Sequence, residues 1–209
     1  MTEQEPKWSR RKDARPQEII EAAIDEFVAK GYANAKLADV ARRAGVVKGT
    51  IYRYFETKAD VFRAVARHLV TEHLSTIENA SSSADNDVNT VLPMILSQVA
   101  ARMSDPRVPG IVRMVLVEGR TFPDLAAVWH DEVIGKVAAF LTANIQRGQS
   151  TGSIREGDPA LMLFSIMGPM LLGVLFRDTF PDSPLAPDLN ALAAQHADLL
   201  RHGMGQGRT

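Results

Sequence analysis

The sequence predicts an all-α protein in two parts, a head of short helices followed by a longer helical body. Three observations carry this. Apolar residues recur at three- and four-residue spacing along most of the chain, and no alternating strand pattern outlasts a few residues. Glycine and proline stand at the ends of the periodic stretches, as at Gly31, Gly45 and Asp158-Pro159, where helices stop and start. Charge divides between the parts: Lys7 to Lys58 holds twelve Lys/Arg against seven Asp/Glu, so with a total of −1 the remainder carries −6. A basic front end on an acidic remainder suits a nucleic-acid reader joined to something else.

The totals exclude several classes. With no cysteine in 209 residues there are no disulfides and no thiolate metal sites, which fits a reducing cytoplasm. The opening Thr2-Glu3-Gln4-Glu5-Pro6 has no apolar run, so no signal peptide is expected. Ala160 to Phe176 is slightly short for a membrane span and holds Ser165, Gly168, Pro169 and Gly173; the expectation is a buried helix in a cytoplasmic protein. The five histidines make no metal spacing, since His68 and His73 are five apart and diverge around a helix. There is no Walker loop, and the glycines from Gly203 to Gly207 follow no strand, so neither an enzyme nor a bound cofactor is expected.

In order, residues 1–14 read as a flexible basic arm in which Lys7, Arg10, Arg11 and Lys12 either neutralise phosphates or are simply solvated. Pro16 suits a first helical turn, and Ile20, Ile24, Phe27 and Val28 carry that helix to about Lys30, ending at Gly31. Leu37, Val40, Ala41 and Ala44 make a second helix stopped by Gly45, with Val46 able to plug the angle beyond it. Ile51 and Phe55 bury one side of a third helix at about 48–55, leaving Lys48, Gly49, Thr50, Arg53 and Tyr54 facing out and Tyr52 at the edge. Such a face offers donors, a bare backbone and aromatic planes to a DNA groove. Thr57 to Asp60 has capping-box spacing before a fourth helix through Phe62, Val65, Ala66 and Leu69.

Asn79 to Asn89, small and polar, is the linker candidate. Helices are expected over Val91–Met103, over Ile111 to about Glu118, and over Pro123–Arg147 with Leu125, Val128, Trp129, Val133, Val137, Phe140, Leu141 and Ile145 on one face. After a loop from Gly148 to Gly157, Asp158-Pro159 opens the apolar helix. Pro187 opens a last one with Leu189, Leu192, Ala193, His196, Leu199 and Leu200 inward, before a tail from Gly203.

Gly31-Tyr32, Leu37-Ala38-Asp39-Val40-Ala41, Ala44-Gly45-Val46, Lys48-Gly49-Thr50-Ile51-Tyr52-Arg53-Tyr54-Phe55 and Lys58 resemble, in order and spacing, the DNA-binding domain of TetR-family transcriptional regulators. The resemblance implies a helix-turn-helix domain over 15–75 and an effector-binding and dimerisation domain over 76–209. It implies that Lys48, Thr50 and Tyr52 touch bases, that Gly49 allows close approach, that Tyr54 and Lys58 hold phosphates, and that Arg53 reaches either. It further implies a homodimer through helices at about 160–176 and 188–202, a palindromic operator, repression, and release by a small, generically hydrophobic effector. Met94, Met103, Met114, Phe122, Trp129 and Phe164 are candidate pocket residues, though Met and aromatics at helical spacing are more often core than pocket. Arg113, Glu118 and His130 are either polar groups for the ligand or plain surface. Two positions depart from the family pattern: Lys36 and Val47 stand where a capping Ser or Thr is usual, and a missing cap costs about 1 kcal/mol. A helical binding module with a degenerate head is the alternative.

Overall fold

The computed structural model describes residues 7–81 and 88–204, with side chains for 16–70 and 91–204. It divides into two compact units, one built from the chain up to His68 together with Met114–Glu132, the other from Leu69–Arg113 and from Val133 onward.

The first unit begins with α1 (Lys7–Asn34), which starts earlier than the sequence suggested. From Lys7 the stretch read as a flexible arm is helical in its backbone, and Pro16 lies inside the helix rather than at its first turn. The residues before Pro16 have no apolar period to announce a helix. The roles suggested for Lys7, Arg10, Arg11 and Lys12 fall on side chains outside the described residues. At Gly31 the backbone breaks, with φ 74° and ψ 169°, a conformation that only glycine adopts without strain.

After the break come α2 (Leu37–Arg43), α3 (Lys48–Ile51) and α4 (Lys58–Ser81). Gly45, at φ 66°, ends α2: its N–H reaches the Arg42 carbonyl at 3.2 Å while that of Val46 reaches Ala41 at 2.9 Å. That pair of bonds is the Schellman closure, and it aims the chain into α3. Ahead of α4, the Thr57 N–H donates to Asp60 (3.0 Å) and the Asp60 N–H to the Thr57 hydroxyl (3.1 Å), the reciprocal box read from the sequence. The Thr57 hydroxyl, which donates to the Asp60 carboxylate at 2.8 Å, together with the Thr57 N–H and Arg63, holds that carboxyl below its ordinary pKa.

The core of this unit is completed from far along the chain. Phe27, Tyr32, Phe62, Phe122 and Trp129 form one aromatic cluster with neighbouring ring centroids 5.4–6.2 Å apart. Edge and offset pairs of this kind contribute about 0.5–1.5 kcal/mol each beyond their burial. Phe122 and Trp129 flank α7 (Pro123–Trp129), which follows α6 (Arg107–Glu118). The single helix expected from Pro123 to Arg147 is interrupted: His130–Ile134 forms a wider, i→i+5 turn before α8 (Gly135–Ser150). Such a turn re-phases the apolar stripe, a shift that a count of apolar spacings misses.

In the second unit, α5 (Val88–Met103), α8, α9 (Pro159–Thr179) and α10 (Leu189–Met204) enclose a core that includes Leu92, Leu96, Ile145, Ile166, Met170, Val174 and Leu200. Asp158 accepts the Ala160 N–H at 2.8 Å and Pro159 sits in the first turn, as the sequence suggested. Asp188, rather than Pro187, begins α10, accepting the Ala191 N–H at 2.8 Å. Gly173 leaves room for the Leu192 side chain of α10, since a Cβ there would lie 2.3 Å from Leu192 Cδ2. Buried His196 bridges the same pair through Nε2 and the Ile166 carbonyl at 3.0 Å.

The expectation of a buried α9 needs correction. Ile166, Met170, Gly173 and Val174 are buried, but Leu161, Phe164, Leu171 and Leu172 are exposed. A composition apolar all round does not reveal that only one side of the helix is covered. By length and composition α9 could also cross a membrane. Of the linker candidate, 82–87 lies outside the described residues, while 79–81 and 88–89 are helical. Of the tail, 205–209 lies outside them too.

Candidate nucleic-acid interface

The regular part of the third helix is shorter than the 48–55 expected. α3 ends at Ile51, and i→i+3 bonds carry the winding on: Arg53 N–H to Thr50 O at 3.2 Å and Tyr54 N–H to Ile51 O at 3.0 Å. Neither Val47 nor Lys36 makes a side-chain cap, and only α2 has an acidic residue, Asp39, in its first turn. Ile51 is fully buried and fixes the rotation of the turn. Lys48, Gly49, Tyr52, Arg53 and Tyr54 are consequently exposed and Thr50 half-exposed, the display that the spacing predicted. The Lys48 ammonium lies 6.0 Å over the Tyr52 ring, at the outer limit of a cation–π contact.

Behind this face the head is held by ion pairs. Arg42 pairs with Asp39, which also takes Lys30 at 2.9 Å. Arg43 lies 3.5 Å from buried Glu26, which takes Lys30 at 2.5 Å. The α2 arginines are therefore both paired with carboxylates of the head. Asp39 does not cap α2; it ties that helix back to α1.

Lys58 has an internal role that the sequence did not suggest. Its ammonium donates to the carbonyls of Tyr32 (2.5 Å), Ala35 (3.3 Å) and Ala33 (3.4 Å), and sits 4.4 Å from the Tyr32 ring centroid. Burial lowers its pKa below the ordinary lysine value, while Glu118 and Asp124 pull the other way. With its donors committed to the turn after Gly31, Lys58 is not held outward for a phosphate. Replacing it with Met keeps the stem and removes these bonds, so Lys58→Met should cost about 2 kcal/mol of stability, the scale of a charged hydrogen bond. Chemical denaturation checks this; an unchanged midpoint would return the lysine to the outer surface.

The body candidates do not assemble into one pocket. Met114 is buried in the first unit, Phe122 and Trp129 belong to its aromatic cluster, and Glu118 accepts the Tyr32 and Ala33 N–H groups at 3.0 and 2.7 Å. His130 is exposed beside Asp131. In the second unit Met94 packs on the core, Phe164 is exposed, and Arg113 pairs with Asp178 at 2.8 Å. Met103 lines a cleft of about 550 Å³ formed with Ser104, Pro109, Val174, Arg177 and Leu189, among others. The spacing gave no sign of Val174 or Arg177, because the cleft is closed by the loop between α9 and α10.

The head is thus a helix-turn-helix DNA-binding module, with a glycine-closed supporting helix and an outward polar-aromatic reading segment. Its family description, bacterial regulatory proteins of the tetR family, matches residues 19–65, and the tetracyclin repressor-like C-terminal domain matches 85–193. The chain belongs to the TetR family, whose members are DNA-binding transcriptional regulators and not enzymes. It is similar to the uncharacterized HTH-type transcriptional regulator YvdT of Bacillus subtilis, 33% identical over 82 residues, 39% of this chain and 42% of that one. SrpR of Pseudomonas putida is 47% identical over 49 residues, 23% of each chain. The chain therefore spans less than half the length of these curated relatives. The solved structure of the fatty acid degradation regulator FadR from Bacillus halodurans, 25% identical, superposes with a TM-score of 0.78 over 90% of this chain and 98% of that one.

Proposed function

We propose that the protein is a homodimeric repressor that binds a palindromic operator through Lys48, Gly49, Thr50, Tyr52, Arg53 and Tyr54. The observation that carries this is the outward display of these six residues around buried Ile51, with donors and aromatic planes turned to solvent and Thr50 half-exposed among them. One head buries little DNA surface. A two-fold dimer places two reading segments about 34–36 Å apart, one DNA turn, on a symmetric site. The exposed apolar side of α9, with α10 beside it, is the surface proposed for that pairing. A cytoplasmic location follows from the same reading.

A small amphipathic effector occupies the body in this proposal, and the Met103–Val174–Arg177 cleft is its candidate seat, with apolar walls and a few polar groups. It releases DNA to the extent that it binds the free form better than the DNA-bound form.

Binding-site selection from random duplexes at two salt concentrations tests the reading. A palindrome with steep salt dependence supports it; unspecific binding, weakly dependent on salt, sinks it. Lys48→Ala should then relax preference at one position per half-site by about 1–3 kcal/mol. Tyr54→Phe should instead weaken all sequences alike. Equal loss on specific and random DNA for Lys48→Ala would remove Lys48 from base reading.

A further inference from the structure

Between Pro16 and Val70, the large apolar side chains left exposed are Val47, Tyr52 and Tyr54, all in or beside the reading segment. Val47 is the most exposed of them, at 75%. Tyr52 and Tyr54 each carry a hydroxyl and so have a polar reason to face water. Val47 has none. Its side chain makes no cap, its backbone is extended at φ −73° and ψ 148°, and its carbonyl takes the Thr50 N–H at 2.8 Å. Any residue could supply that carbonyl, so nothing inside the head explains the isopropyl group.

We infer that Val47 is a specificity residue that packs on the C5-methyl group of a thymine in the operator, an inference that rests on the operator reading above. The major groove offers hydrogen-bonding edges at every base pair, and the thymine methyl is its distinctive apolar group. A β-branched side chain with restricted rotamers presents two methyl groups with little entropy to lose. Its neighbour Lys48 is exposed with it, so a hydrogen-bonding donor and an apolar contact lie side by side, the pair needed to distinguish adjacent positions. Packing against a sugar or phosphate would gain nothing from the methyl, which separates the two possibilities.

The test uses the full-length protein and the selected operator, with each thymine replaced in turn by deoxyuridine, which pairs identically and lacks only the methyl. The unsubstituted protein should lose about four-fold per half-site at one thymine, the value of roughly one buried CH₂. Val47→Ala should bind the thymine and uridine duplexes alike at that position. Val47→Thr, which keeps one of the two methyls, should retain only part of the uridine effect while raising the melting temperature, because its hydroxyl supplies the missing cap; this also shows that a variant at this position folds. A palindrome recovered with no uridine effect that depends on residue 47 overturns the inference and leaves the operator reading standing. No sequence preference at all overturns both.

Discussion

On the proposed α9 pairing, Phe164→Glu is expected to convert a dimer to a monomer and to cut affinity for a full palindrome at least about 100-fold, the lower end of what linking two binding sites contributes. Phe164 is 74% exposed on α9, and Leu161, Leu171 and Leu172 share its uncovered side. Burying side chains of this size stabilises an interface by about 1.5–3 kcal/mol each. Ser165 and Gly168 are also exposed on α9, and their small side chains let a second helix approach closely. A two-fold interface is isologous, so one substitution enters it twice. A glutamate there puts two like charges into an apolar contact. Light scattering reads the mass, and titration on full-site and half-site duplexes reads the linkage. The half-site affinity should hold, because the reading segment is untouched. A persisting dimer would place the interface elsewhere.

The head was legible because its special positions have residue-specific demands. A helix stop before a second helix calls for the left-handed conformation, and Gly45 supplies it at φ 66°. Ile51 and Phe55, four apart, fix which residues face out. The Thr57–Asp60 box is a local pairing. What stayed hidden depends on partners distant in sequence. The resemblance aimed Lys58 at a phosphate, whereas its carbonyl acceptors lie 23–26 residues earlier in the chain. Phe122, Trp129 and Glu118 looked like pocket candidates because nothing in their spacing says that they complete the core and backbone bonding of the head. The composition of α9, apolar nearly all round, announced more apolar surface than one core contact needs, but a helix apolar on all sides gives no period to show which side is covered.

Glu118→Ala should lower the stability of the folded chain by about 1–3 kcal/mol, more than any single change on the reading face, because it removes the acceptor of the part-buried Tyr32 N–H and of the more exposed Ala33 N–H. The break at Gly31 interrupts the helical ladder, so the Tyr32 and Ala33 N–H groups start a new turn without carbonyls behind them. Both carboxylate oxygens of Glu118 take their place, at 3.0 Å to Tyr32 and 2.7 Å to Ala33, as an N-cap residue would. The cap comes from 85–86 residues away and holds the same turn that Lys58 holds by its carbonyls, so donors and acceptors of one segment are satisfied by opposite charges. Asp124 adds a 2.8 Å bond from the Tyr32 hydroxyl, and with burial as the larger cause it raises the pKa of that phenol. Glu118→Gln keeps one acceptor oxygen and should lose roughly half as much. Gly31→Ala reaches the same turn from the other side: its Cβ would lie 2.4 Å from Glu118 Oε1 at a positive φ, so it should also destabilise. Denaturant midpoints for the three variants check this. An alanine variant as stable as the parent would mean that water satisfies Tyr32 and Ala33 as well as the carboxylate does, and the clasp would lose its part in holding the head.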